Sequence, residues 1–443
     1  MKRSTIALSV LLAGWAVAVK GVTLDALLQT TMEKNPEIQK ARHNLEAAAG
    51  RRLVFRSIGL PDAIIGGLIG DEGGHRAGQK SNQPFGFGLG GLRQAFFNAA
   101  VPPSFRRGDV ETLIAQQQLN VAVVEQLEAA RVAFYTAIYN RSLKGMRMEQ
   151  RQRLEQNVSS QKDRYESGLA DRSAFVGTEV QTRELDPQVA GAQRAYDGAI
   201  LKLAEAVGAD LGPDATLAEP EGDLKYATID LDLEAETRAA LQDRPDLKLA
   251  RLLVRASNED QRIIEAAYYP VINAVVSGEY IPVSGVRRIE SQGGPRRSDD
   301  IISSEIRAGG AYTWRVIDNG KTYGAVLRQR SARQINELLL HKLEADVPRE
   351  MSRIRHDLQA IAAKRELLAR ASSAAEENAV TVQQNLAGGV VSQYEFRLAE
   401  NALLEVRSGL LTLAYQQKLA LAEWDRVTGR YFQFSEDRSQ NVR

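Results

Sequence analysis

Cysteine is absent from all 443 residues. That removes disulfides, thiolate nucleophiles, Cys-ligated zinc and iron–sulfur clusters, and with them the acylated cysteine of a lipoprotein anchor. Histidine is nearly absent too, with four residues: His43, His75, His341 and His356. His341 and His356 share one helical stretch but stand too far apart for the i, i+4 spacing that a shared metal prefers, so no metal site is expected. Neither sign of charge is in excess. Lys+Arg is 57, Asp+Glu is 56 and the net charge is +1, which argues against a nucleic-acid partner. After the N-terminus no apolar run approaches the ~20 residues of a spanning helix. The best, Ala63 to Gly70, is short and glycine-rich. If the chain crosses a membrane, it does so as strands in a closed barrel. No Ser/His/Asp set, phosphate-cradling loop or paired-carboxylate motif stands out, so neither an enzyme nor a cofactor is expected.

What remains is a folded composition, 44% hydrophobic and 26% charged, in a chain too long for one ordinary domain. Lys2 and Arg3 precede an apolar stretch from Ile6 to Val19, and Ala16-Val17-Ala18 offers a small-x-small cleavage site. Residues 1–18 therefore read as a cleaved export signal, and the mature chain works outside the cytoplasm.

The rest of the chain is a duplication. Leu24-Asp25-Ala26 matches Leu233-Glu234-Ala235, and Asn35-Pro36-Glu37-Ile38 matches Arg244-Pro245-Asp246-Leu247, both at an offset of 209. Pro61 and Pro270 keep that offset. Further on, Gly88 matches Gly309, Gly168 matches Gly389, Phe175 matches Phe396, Glu179 matches Glu400 and Gly208 matches Gly429, all at 221. The second half thus carries 12 extra residues between Pro270 and Gly309. A period this long is a domain duplication; solenoid units are far shorter. The expected boundaries are 19–211 for the first repeat, 212–231 for a linker, 232–430 for the second repeat and 431–443 for a tail.

Each half runs through the same elements. A helix from about Leu24 to Ser57, copied from Leu233 to Ala267, stops before a proline. Ala41, Leu45 and Ala48 share one face. Strand-like segments follow at Ala63 to Gly70 and at Ile272 to Tyr280, rich in β-branched residues in the second copy. Polar loops at Asp71 to Pro84 and Pro282 to Asp300 lead to return strands. In these, Phe85, Phe87 and Leu89 alternate with glycines, and Ser303 to Trp314 forms the copy. Helical patterns then run unbroken from about Pro103 to Ser167, about 98 Å at 1.5 Å per residue, and from Gly320 to Ala387, with a bend expected at Pro348. Returning helices follow at Ser173 to Val207, with a kink expected at Pro187, and from Phe396 to Trp424. The latter steps 3, 4, 3, 4 through Ala399, Leu403, Val406, Leu410 and Leu413, the period of a left-handed coiled coil.

Two hairpins give four strands, and four strands cannot close. An open edge in lipid leaves backbone N–H and C=O groups unsatisfied, and the smallest membrane barrels have about eight strands. The strands are therefore shared between chains or lie outside a membrane. Three chains of four make twelve.

This layout resembles the TolC-like outer-membrane efflux proteins over nearly the whole mature chain. Asn35-Pro36-Glu37 resembles the family's opening "N-P-x-hydrophobic-x-x-A" helix, and Arg244-Pro245-Asp246-Leu247 its "R-P-D-L". Asp318-Asn319-Gly320 resembles its "F-D-x-G" turn from strand into long helix. Tyr165 to Ala170 and Gly388 to Val391 resemble its helical hairpin tips. The resemblance implies a fold that is mainly α with β hairpins: a duplicated long-helix α-barrel plus four strands per protomer in a shared, twelve-stranded trimeric β-barrel. It implies a homotrimer in the outer membrane with a large periplasmic portion. Such a protein is a passive exit duct of an efflux or type I secretion system. A periplasmic adaptor and an inner-membrane pump or ABC transporter open it, and outer-membrane lipid surrounds it.

The resemblance also implies site residues. Gly168, Leu169 and Ala170, with Gly389 and Val390, match adaptor-contact tips, although glycine suits a helix turn in any case. Glu395 matches a carboxylate that rings the pore constriction; three copies would favour cations, while a solvated helix face is the plainer account. Ala174 and Leu398 stand where some relatives carry further acids, and Val391 where some carry a gate arginine, so the gate differs here. Arg287, Arg288, Arg296 and Arg297 fall in the second loop, where they are solvated or contact anionic lipid. The competing function class is an exported, soluble coiled-coil scaffold whose hairpins serve as docking elements.

Overall fold

The computed structural model describes residues 21–73, 82–169, 171–209, 219–282 and 302–431. The expected signal, most of both hairpin loops with Arg287, Arg288, Arg296 and Arg297, Ala170, most of the tail, the last two residues of the first repeat and 212–218 of the linker lie outside these residues. The described elements are α1 (Leu24–Lys34), α2 (Pro36–Ser57), β1 (Asp62–Gly73), β2 (Asn82–Phe97), α3 (Val101–Glu166), α4 (Arg172–Glu184), α5 (Asp186–Val207), α6 (Leu233–Asp243), α7 (Pro245–Glu265), β3 (Val271–Pro282), β4 (Ile302–Thr313), α8 (Lys321–Ala387) and α9 (Gln393–Val427).

Several boundaries differ from the sequence expectation. The opening helix is two helices in each repeat, because the residue before a proline is pushed out of the helical region. Asn35 (ψ 125°) and Arg244 (ψ 124°) are both extended. Asn35 then caps the next helix, its Oδ1 accepting from the Glu37 and Ile38 amides at 2.9 and 3.3 Å, with Pro36 at the first helical position, where its missing N–H is harmless. The first returning helix also breaks: α4 ends before Leu185, and Pro187 sits in the first turn of α5. A 3-10 turn, Ala266–Tyr268, ends the α7 run. The strands reach further into the expected loops, to Gly73 and Pro282 and from Asn82. The glycine-rich first hairpin is as extended as the second, with 12 and 16 residues in β1 and β2. Helix α8 continues through Pro348.

The chain divides into two compact units. One holds residues up to Lys40, Asn120–Arg244 and Asp346 onward; the other holds Ala41–Leu119 and Pro245–Ala345. In the first unit Leu154, Leu185 and Phe396 form a buried apolar cluster with Val382 and Leu386 against it. At each repeat's N-terminal break a glycine closes the returning helix. Gly208 has φ 73°, and a Cβ there would lie 2.8 Å from the Lys34 carbonyl. Gly429, its copy at φ 77°, faces the Asp243–Arg244 peptide. The inter-repeat strap from Glu219 is extended and clasped by side chains. Val22 bridges Pro220, Arg141 donates to the Pro220 and Gly222 carbonyls, and the Gln417 amide bonds both backbone groups of Ala227, at 3.0 and 2.6 Å.

The second unit carries an antiparallel sheet in the order β1-β2-β3-β4. Arginines and acids tie α2, α3 and α7 together beside it: Arg51–Glu111, Arg107–Asp260, Arg52–Asp109 and Arg106–Glu259, at 2.6 to 3.0 Å. Val110, Ile114 and Ala256 form the apolar contact between α3 and α7.

Candidate functional site

The strand register sorts the sheet into two unlike faces, because cross-strand partners share a face. On one face Ile65 pairs with Gly90, Gly90 with Gly278 and Gly278 with Ile306; Ala63 leads in the same way through Leu92 and Val276 to Ala308. Among side chains described on this face the only charge is Asp71, near the hairpin end of β1. Ile65 and Ile306 on it stand in the open, 93% and 81% exposed. The opposite face carries Asp62, Arg93, Glu279, Glu305 and Arg307. Glu279 pairs directly with Glu305 across β3 and β4, and Arg307 forks onto the Glu305 carboxylate at 2.8 and 2.6 Å.

Exposed aromatic residues gather where the strands meet the helices: Phe96 and Phe97 at the end of β2, Tyr268 and Tyr269 before β3, Tyr312 and Trp314 around the end of β4. Trp314 Nε1 donates to the Tyr268 carbonyl at 3.2 Å. Such rings suit a boundary with one apolar and one wet side. Sequence reasoning missed this belt, since its members are scattered over three strand ends. The outer edges of β1 and β4 have no strand partner among the described residues. No helix among the described residues is long and apolar enough to cross a membrane, and no three described His, Asp or Glu side chains cluster as a metal ion would need.

In the first unit the two expected helix turns have one geometry. At Gly168 (φ 74°) the Leu169 amide bonds back to the Arg164 carbonyl at 2.7 Å; at Gly389 (φ 73°) the Val390 amide bonds back to Asn385 at 2.9 Å. Both are Schellman turns. The apolar residue that follows usually folds against the helix, but here Leu169 is 73% and Val390 78% exposed. The turns are neighbours: a Cβ on Gly389 would lie 3.6 Å from Arg164 Nη2.

The helices leaving the turns are capped at equivalent positions, by Asp171 and by Ser392. Glu395 forms a capping box with Ser392, its carboxylate accepting from the Ser392 amide at 2.7 Å. That backbone bond, with the Ser392 hydroxyl, holds the Glu395 carboxyl below its ordinary range. The structure thus gives this exposed residue a local task that spacing alone did not reveal.

The chain shares its fold with outer-membrane channels of known structure. The Campylobacter jejuni CmeC outer membrane channel matches with a TM-score of 0.78 at 12% identity, over 95% of this chain and 87% of its own. CusC, from structures concerned with folding and transmembrane channel formation, matches at 0.75 and 12%, over 91% of both chains. The Vibrio cholerae outer membrane protein VceC matches at 0.74 and 17%, over 92% and 96%. No protein-family model and no curated protein sequence matches the chain. The fold is that of the TolC-like outer-membrane channels.

Proposed function

We propose that the chain is one protomer of a trimeric outer-membrane exit duct. One observation carries the reading: a four-stranded sheet with an exposed face whose only described charge is Asp71 near the hairpin end, a charged opposite face and, among the described residues, two free edges. In water such edges and such a face invite aggregation. In a bilayer, lipid takes the apolar face and a channel takes the charged one. Twelve residues in β3 and β4 extend about 40 Å at 3.3 Å per residue, and a tilt near 40° brings that to roughly the 30 Å of a hydrocarbon core. The β1 edge of one copy and the β4 edge of the next would satisfy each other's backbone groups, and three copies give twelve strands.

The duct is passive and spans the outer membrane with a large periplasmic portion. The turns at Gly168 and Gly389, with exposed Leu169 and Val390, meet a periplasmic adaptor, and an inner-membrane pump or ABC transporter supplies the energy for efflux or secretion. Glu395 lines the constriction beyond its capping role. The test is to express the chain with its own signal in a Gram-negative host, fractionate the membranes and measure the detergent-extracted mass by size exclusion with light scattering. A cleaved protein in the outer membrane at three times the protomer mass supports the duct. A soluble periplasmic monomer or dimer sinks it and favours an exported scaffold.

A further inference from the structure

At the ends of α2 and α3 beside the sheet, Arg51, Arg52, Arg106 and Arg107 each hold an acid. The junction from β4 into α8 is different. From Trp314 to Asn336 five cations, Arg315, Lys321, Arg328, Arg330 and Arg333, meet a single acid, Asp318. Asp318 is already engaged, its carboxylate accepting from the Gly320 and Thr322 amides at 3.0 and 2.8 Å where α8 begins. Arg333 meets Glu337 at 3.4 Å. The other four cations are exposed and form no ion pair among the described residues. The duplication does not require them. Their counterparts at the offset of 221 are Gln94, Ala100, Arg107 and Asp109, and Arg107 is held by Glu111 and Asp260.

The same stretch is apolar where it leaves the sheet. Tyr312 shares the apolar face with Ile306, and Trp314, Val316 and Ile317 follow, all more than half exposed. The chain thus passes from exposed isoleucine through exposed rings to unpaired cations. That is the order of layers on one side of a bilayer: hydrocarbon, interface, phosphate. Arg328 and Arg330 lie about 10 and 14 Å along α8 from Lys321, at 1.5 Å per residue. With Arg315 and Lys321 at the phosphates, these two stand just beyond a headgroup layer of about 5–8 Å, within about a Debye length of it. A zwitterionic headgroup sets its own ammonium against its phosphate, so unpaired cations favour a lipid of net negative charge.

We propose that the β4–α8 junction is a docking site for anionic phospholipid in the leaflet on the helix side of the sheet. Arg315 and Lys321 hold the phosphates, and Arg328 and Arg330 add attraction at longer range. This rests on the duct reading and names the lipid that its strand–helix boundary selects. The protein carries its own reporter. Of the two tryptophans beyond the expected signal, Trp424 is buried and Trp314 stands in the aromatic belt. The purified protein is reconstituted in phosphatidylcholine vesicles with a rising fraction of brominated phosphatidylcholine or brominated phosphatidylglycerol, and quenching of Trp314 is followed at low salt. Phosphatidylglycerol should bind roughly fivefold or more tightly than phosphatidylcholine, since each cation at a charged surface contributes about that factor. R315Q/K321Q should remove most of the preference, and R328Q/R330Q less of it. A ratio near one in the unmodified protein, an unchanged ratio in R315Q/K321Q, or a larger loss in R328Q/R330Q overturns the site, while quenching by brominated phosphatidylcholine keeps the belt in the bilayer and the duct standing. Absence of quenching by either lipid overturns the duct, and the site with it.

Discussion

Replacing Asp425 with asparagine should destabilise the protein far more than the loss of one hydrogen bond. Arg131 is fully buried, with 0% of its surface exposed. Its Nη1 donates to Asp425 Oδ2 at 2.6 Å and to the Tyr431 hydroxyl at 3.2 Å, while its Nε and Nη2 have no hydrogen-bond partner among the described residues. Burial works against its charge, yet Tyr431 and Asp425 outweigh it and keep the guanidinium protonated. Asparagine preserves the shape of Asp425 and removes the charge, leaving a cation in the core. Breaking a buried pair from one side costs about 3–5 kcal/mol, whereas replacing both members with apolar residues is close to neutral. R131M/D425L should therefore recover at least about 2 kcal/mol of the loss. Arg430, which also touches Asp425, keeps Glu236 as partner. The assay is urea unfolding of the detergent-solubilised protein followed by tryptophan fluorescence, in which Trp424, itself buried beside Asp425, is the reporter. A D425N loss below about 1 kcal/mol, or a double variant no more stable than the single one, would refute the argument from charge.

Three more outcomes follow from the same geometry. G168A should cost only the ~1–2 kcal/mol of a left-handed backbone, since a Cβ there meets nothing within 4 Å; G208A should cost clearly more, because its Cβ would collide with the Lys34 carbonyl, and denaturation midpoints separate the two. On the sheet, I306K should cost about 2–4 kcal/mol of stability in a bilayer and reduce outer-membrane recovery, while S277K on the charged face should insert normally; equal recovery of both would remove the assignment of faces. E395Q keeps the capping box, which accepts glutamine, but removes the charge. A drop in cation-over-anion permeability with unchanged stability supports the constriction, and an unchanged ratio confines Glu395 to its cap.

The four strands and the long helices were legible because each rests on local signals: alternation and the absence of breakers. The junctions at Asn35-Pro36 and Arg244-Pro245 were misread because a proline can open a helix as readily as end one, and the extended backbone just before it was the usable clue. The sheet faces were half visible. Alternation shows within β1 or β4, but knowing that Ile65 and Ile306 share a side requires the β2–β3 register, which joins distant parts of the chain. The contact between Asn157 of α3 and Gln393 of α9 was invisible for the same reason. Asn157 and Gln393 each look like ordinary surface amides, and only the packing of two hairpins makes them a pair.

The paired Schellman turns have a consequence for any ring assembled from this chain. Three copies would present six turns of one backbone shape but two chemistries in alternation. One follows its glycine with Leu169 and is capped by the acid Asp171; the other carries Val390 and is capped by the neutral Ser392. A partner that meets all six with a single repeated surface encounters two classes of site, filled at different concentrations and with different salt sensitivity. Such a ring would be quasi-equivalent, and each class of turn could drift without altering the other.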